Sequence, residues 1–128
     1  MVRKAHFVVR PLRAQKRVLL VLADHHNANR RLEFLRRRGF DVDSCSGAEA
    51  AVTMSRTHSY DLIVLPVDAA PTVEKLCRRL QRLNPNSTVA CIADCSKPIP
   101  ALPAGLLLWE GEPLEYFLAR LDTLSAIA

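Results

Sequence analysis

The chain has 128 residues, 49% of them apolar and 24% charged, an ordinary globular balance at the length of one domain with room for a core. No apolar run approaches the ~18 residues of a membrane span, and no apolar stretch precedes a small-residue cleavage site, so the expected compartment is the cytoplasm. The net charge of +5 is uneven: residues 1–17 hold Arg3, Lys4, Arg10, Arg13, Lys16 and Arg17 and no acid, which leaves 12 basic against 13 acidic groups in the rest.

The basicity therefore belongs to an N-terminal arm, residues 1–16, ahead of a near-neutral domain over 17–128. Such an arm attracts nucleic acid or an acidic partner through phosphate or carboxylate charge, or else is a solvated leader. The four cysteines, Cys45, Cys77, Cys91 and Cys95, read as thiols rather than disulfides without a secretory context.

In chain order, Arg17-Val-Leu-Leu-Val-Leu-Ala23 is a continuous apolar run, as in a strand buried on both faces. Residues 28–38 carry Ala28, Leu32 and Leu35 on one helical face, and Gly39 suits the stop. Phe40, Val42 and Ser44 alternate with Asp41, Asp43 and Cys45, as in a half-exposed edge strand. Ser46 and Glu49 have capping-box spacing before a helix to about residue 57, with Ala48, Ala51, Val52 and Met54 or Ser55 inward.

Asp61-Leu-Ile-Val-Leu65 is the next strand. Val73, Leu76, Cys77, Leu80 and Leu83 mark an amphipathic helix ended by Asn84-Pro85-Asn86. Thr88 to Ala93 and Gly105 to Trp109 are the last two strands. Pro113 opens a final helix whose inner face is Leu114, Phe117, Leu118 and Leu121.

Strands and helices alternate throughout except between strands four and five. There Pro98, Pro100 and Pro103 remove amide donors and clash with a preceding turn, so helix four is expected to be replaced by a proline-rich loop. The pattern predicts an α/β domain, a doubly wound five-stranded parallel sheet with right-handed crossovers. Ligands in such sheets bind beyond the carboxyl ends of the strands, which selects residues 24–26, 66–68, 93–95 and 109–111.

The phrases Val-Leu-Leu-Val-Leu-Ala-Asp24, Leu35-Arg-Arg-Arg-Gly-Phe-Asp-Val42, Gly47-Ala-Glu-Ala-Ala51, Tyr60-Asp-Leu-Ile-Val-Leu65 and Pro113-Leu-Glu-Tyr-Phe-Leu-Ala-Arg-Leu121 occur in this order and spacing. Together they resemble the response-regulator receiver family of two-component signalling over Val18 to Leu121. The resemblance implies a flavodoxin-like sheet of strand order 2-1-3-4-5. It also implies a phosphorelay site: two acids after strand one, a phosphoacceptor aspartate ending strand three, a hydroxyl ending strand four and a lysine ending strand five.

Here those positions fall on Ala23 and Asp24, Pro66, Ala93 and Glu110. Only Asp24 keeps the family's chemistry. Proline has no nucleophile, and Glu110 opposes a phosphoryl group where lysine attracts one. Asp68 is a displaced alternative acceptor, or else a loop or capping acid.

The expectation is a phosphorylation-independent pseudo-receiver, a regulatory protein-interaction module with no enzymatic activity and no cofactor. A protein partner is the first expectation; a homodimer, and nucleic acid through the arm, are secondary ones. Receivers meet partners through helix four, strand five and helix five, so Trp109, Pro98, Pro100 and Pro103 are the interaction candidates. Asp24, His25 and His26, with Cys95 and Asp94 or Glu110, offer zinc donors but no paired Cys-x-x-Cys; otherwise the histidines cap the first helix with Asn27.

Overall fold

The computed structural model describes residues 17–22, 27–67, 73–93, 106–109 and 113–119, with 27, 28 and 106–109 described by backbone alone. Its elements are β1 (Arg17–Leu22), α1 (Asn27–Arg37), β2 (Asp41–Ser46), α2 (Ala48–Thr57), β3 (Leu62–Pro66), α3 (Val73–Leu83), β4 (Thr88–Ala93) and β5 (Leu106–Trp109). A last helix covers 114–119. The sheet order is β2-β1-β3-β4-β5 and every pairing is parallel. The expected order of β2, β1, β3 and β4 is borne out. The proline-rich segment lies outside the described residues, so it stays an expectation.

Side chains alternate across a pleated strand, and three strands divide accordingly between two cores. Leu19 and Val21, Ile63 and Leu65, and Val89 and Cys91 face α2 and α3, which contribute Ala51, Val52, Val73, Leu76, Cys77 and Leu80. Val18 and Leu20, Leu62 and Val64, and Ala90 and Ile92 face the other way, with Leu35 of α1 and Phe117 of the last helix. β1, β3 and β4 are buried on both sides, which explains their unbroken apolar sequence.

Gly39 ends α1 as expected, and the backbone shows why. Its φ is +93°. The Phe40 amide donates to the Leu35 carbonyl and the Gly39 amide to that of Arg36, a Schellman motif with glycine at the left-handed position. Phe40 and Leu35 share one core, supplying the apolar contact that accompanies the motif.

The expected capping box is corrected. Ser46 is the last residue of β2, in register with Leu22, so it is not available as the cap. Gly47 caps α2 instead, at φ +87° and with no side-chain hydrogen bond. Glu49 then stands at the second helical position, one short of the box, where its charge still favours the helix dipole.

α1 also differs from its expected face. Arg31 joins Leu35 among the buried residues and Leu32 is half-buried, while the side chain of Ala28 lies outside the described residues. The Arg31 guanidinium carbon lies 5.8 Å from the centre of the Phe117 ring. Leu83, expected inward on α3, is 36% exposed at the helix end.

Candidate functional site at the carboxyl edge of the sheet

Because all strands run parallel, Leu22, Pro66, Ala93 and Trp109 end at one edge. Pro66 is in register with Ile92, and Ala93 with Trp109. Proline has no amide to give the ladder, and it is tolerated here because it is the terminal residue of β3. The next residue restores the pairing, Val67 N donating to the Ile92 carbonyl at 3.0 Å. Pro66 is half-buried and Ala93 is 2% exposed.

The structure therefore brings together, at the ends of neighbouring strands β3 and β4, two positions that the sequence resemblance assigns to the phosphoacceptor and the hydroxyl. Neither side chain carries a nucleophile or a hydrogen-bonding group. Trp109 follows at the end of β5 by its backbone. Ala23, Asp24 and Glu110 lie outside the described residues, as do Asp68, His25, His26, Asp94, Cys95, Pro98, Pro100 and Pro103. Among the described residues no three His, Cys, Asp or Glu side chains gather to hold a metal.

The arm residues Arg3, Lys4, Arg10, Arg13 and Lys16 also lie outside the described residues, but Arg17 does not, and its place is a correction. It opens β1 at the opposite, amino edge. Its Nη2 donates to Asp43 Oδ2 at 3.3 Å. Its Nε lies 3.3 Å from Asp41 Oδ2, at ion-pair distance without hydrogen-bond alignment. Its amide donates to Asp61 Oδ2 at 2.9 Å. Arg17 is committed to the sheet and is not part of a binding arm.

Asp43 also accepts from the Tyr60 hydroxyl at 2.7 Å, and the Arg17 guanidinium carbon lies 5.4 Å from the Tyr60 ring centre. Burial, and then the hydrogen bond to Asp43, push the Tyr60 hydroxyl well above its ordinary range. Ser87 Oγ donates to the Tyr60 carbonyl, and Asn84 Nδ2 to the Ser55 carbonyl at 2.8 Å. These bonds lace the starts of β1 to β4 and the turn after α3 into one polar layer. No local sequence pattern marks it, because its members are far apart along the chain.

Two further features are a cysteine pair and an exposed aromatic. Cys77 and Cys91 are free and buried, with sulfurs 3.7 Å apart. The shared S–H contact lowers the Cys77 thiol and, with burial, raises that of Cys91. On the last helix Tyr116 is 65% exposed. Its position outside the Leu114, Phe117, Leu118 stripe marks it in the sequence as an outward-facing aromatic.

No family model matches the chain, and no curated protein matches it. Solved structures do. A response-regulator receiver protein from Sinorhizobium medicae WSM419 is 16% identical with a TM-score of 0.72, over 88% of this chain and 95% of that one. The N-terminal domain of a response regulator/sensory box/GGDEF three-domain protein from Carboxydothermus hydrogenoformans is 16% identical with a TM-score of 0.76, over 88% and 95%.

A third structure belongs to a family of redox sensors in the streptococci that evolved from two-component response regulators. It is 19% identical with a TM-score of 0.70, and the match takes in 87% of this chain but 51% of that one, so the chain spans about half that protein's length. At these identities the likeness is one of fold. The chain has the fold of response-regulator receiver domains, as its sequence led one to expect. No helix among the described residues is long and apolar enough to cross a membrane.

Proposed function

We propose that the chain is a phosphorylation-independent pseudo-receiver, a regulatory module of signal transduction that works by binding a protein partner and carries out no reaction of its own. The observation that carries this reading is Pro66 at the end of β3, the place where a receiver presents its aspartate nucleophile. Phosphoryl transfer to a protein needs a nucleophile held beside cationic groups that neutralise the transferring oxygens. At this edge Pro66 gives no nucleophile and Ala93 no hydroxyl. In the sequence, Glu110 replaces the lysine that would offset the charge.

A domain that keeps the receiver fold but not its chemistry would act through its surface. On that surface the exposed Tyr116 would be the first residue to examine, and Trp109, Pro98, Pro100 and Pro103 are further candidates from the sequence. The reading places the module in the cytoplasm, with reduced thiols, and allows a homodimer as one form of partner.

Amide hydrogen exchange with and without beryllium fluoride and magnesium, a phosphoryl mimic, tests it. No change in protection in β3, β4 or α3 is expected. A protection change at the carboxyl edge would contradict the proposal, because it would require a working phosphoryl site.

A further inference from the structure

Among the described residues the cations of β1 and α1 contrast with those of α3, while Arg30 and Arg56 are exposed singly. On β1 and α1 most are spent inside the molecule. Arg17 is held by Asp43 and Asp41, and Arg31 is buried against Phe117. Arg36 Nη2 donates to the Val42 carbonyl at 3.0 Å. Arg37 lies 3.7 Å from Glu33, and Arg38 sits 4.7 Å from the centre of the Phe34 ring.

On α3 none is spent. Lys75, Arg78, Arg79 and Arg82 are all exposed, and none makes an ion pair, a side-chain hydrogen bond or a ring contact among the described residues. They stand at i, i+3, i+4 and i+7, on the crest opposite the buried Val73, Leu76, Cys77 and Leu80. Neighbours three and four apart on a helix face each other, and like charges there destabilise it. Glu74, beside the crest, is the one acid in the helix. Glu74 stands four residues before Arg78, where it offsets part of this charge, and the remaining cations are uncompensated among the described residues along ~10 Å of helix axis, at 1.5 Å per residue.

We propose that the outer crest of α3 is a docking surface for an acidic helix of a partner protein. Carboxylates on the same spacing would pair with the four cations, three of which are arginines able to take a carboxylate in two parallel hydrogen bonds. This rests on the reading of the chain as a protein-interaction module. Protein fits better than nucleic acid for three reasons. Leu83, 36% exposed at the end of the helix beside the crest, supplies an apolar contact for a protein interface. The exposed crest has no aromatic on which bases would stack. α2 packs alongside α3, so the crest belongs to a broad helical layer rather than to a rod free to enter a groove.

The test uses a fluorescent synthetic helical peptide with glutamates at i, i+3, i+4 and i+7, titrated by anisotropy against the intact chain. Lys75→Glu/Arg78→Glu/Arg79→Glu/Arg82→Glu is compared with Arg30→Glu/Arg37→Glu/Arg38→Glu/Arg56→Glu, which changes net charge equally. Circular dichroism verifies both folds, and Arg78→Gln/Arg79→Gln serves if the full reversal unfolds.

The expected result is salt-sensitive binding, weakened about tenfold or more by the α3 set and about twofold or less by the control set. Absence of binding, or equal loss in both sets, would overturn the proposal. So would tighter binding of a short duplex DNA than of the peptide, which would assign the crest to nucleic acid. Repeating the titration with acetyl phosphate and magnesium separates the two readings. A phosphoryl adduct removes the pseudo-receiver reading and leaves the crest standing, whereas peptide failure without an adduct removes the crest alone.

Discussion

Tyr60→Phe isolates one bond in the polar layer at the amino edge. The ring is 3% exposed and belongs to the core under α2 and α3, so phenylalanine keeps the packing and the contact with Arg17. What is lost is the hydroxyl's 2.7 Å bond to the Asp43 carboxylate. A hydrogen bond to a charged group is worth ~1.5–3 kcal/mol. The Asp43 side chain is 32% exposed, so water replaces part of the bond and the expected cost is about 1–2 kcal/mol.

For a domain of this size that is a fall in Tm of roughly 4–8 °C. Urea unfolding of Tyr60→Phe, Asp43→Asn and the double variant gives the coupling directly, expected at about 1 kcal/mol. A coupling below ~0.3 kcal/mol would refute the reasoning, since independent sites add to within that margin. The pH dependence has a definite sign. The folded hydroxyl titrates above its ordinary 10.0, so above that pH the unfolded chain releases a proton that the folded one keeps, and stability falls. Tyr60→Phe should lose this part of the fall.

Gly39→Ala should lower stability by about 1 kcal/mol, because an L side chain is strained at φ +93°; a thermal melt reads it, and an unchanged Tm would place no demand on glycine there. Ser55→Ala should be neutral or stabilising by up to about 1 kcal/mol in urea, since the Ser55 hydroxyl is buried without a partner among the described residues. Burial raises the Cys45 thiol from 9.0 to about 11. The folded chain therefore keeps its proton across that window while the unfolded chain loses it, so stability falls from pH 9 to 11. Cys45→Ala should flatten the urea-midpoint profile there.

The sheet was legible because burial writes itself locally. β1, β3 and β4 lie between two helical layers, so their apolar runs have no polar alternation, and β4 begins and ends where the sequence places it. α3 was legible in the same way from Val73, Leu76, Cys77 and Leu80. Elements fixed by one residue of register were not. Ser46 looks like a cap until its pairing with Leu22 is known, and Arg17 looks like part of a basic arm until Asp41 and Asp43 are seen beside it.

Arg31 shows a further limit. A guanidinium is read as solvated, yet its stem and planar head pack on an aromatic ring supplied from the far end of the chain. At the candidate site, sequence spacing put Pro66 and Ala93 at strand ends, and the fold sets those strands side by side. What the spacing had no means of expressing is the contrast between the engaged arginines of α1 and the unengaged crest of α3.

With Pro66 at the end of β3, the proposed pseudo-receiver takes up no phosphoryl group. The most direct test is intact mass after incubation with acetyl phosphate and magnesium, with quenched samples read before any aspartyl phosphate hydrolyses. The unmodified mass alone is the expected result. A stoichiometric phosphoryl adduct, mapped by peptide analysis to Asp24, Asp68 or any other side chain, would contradict it.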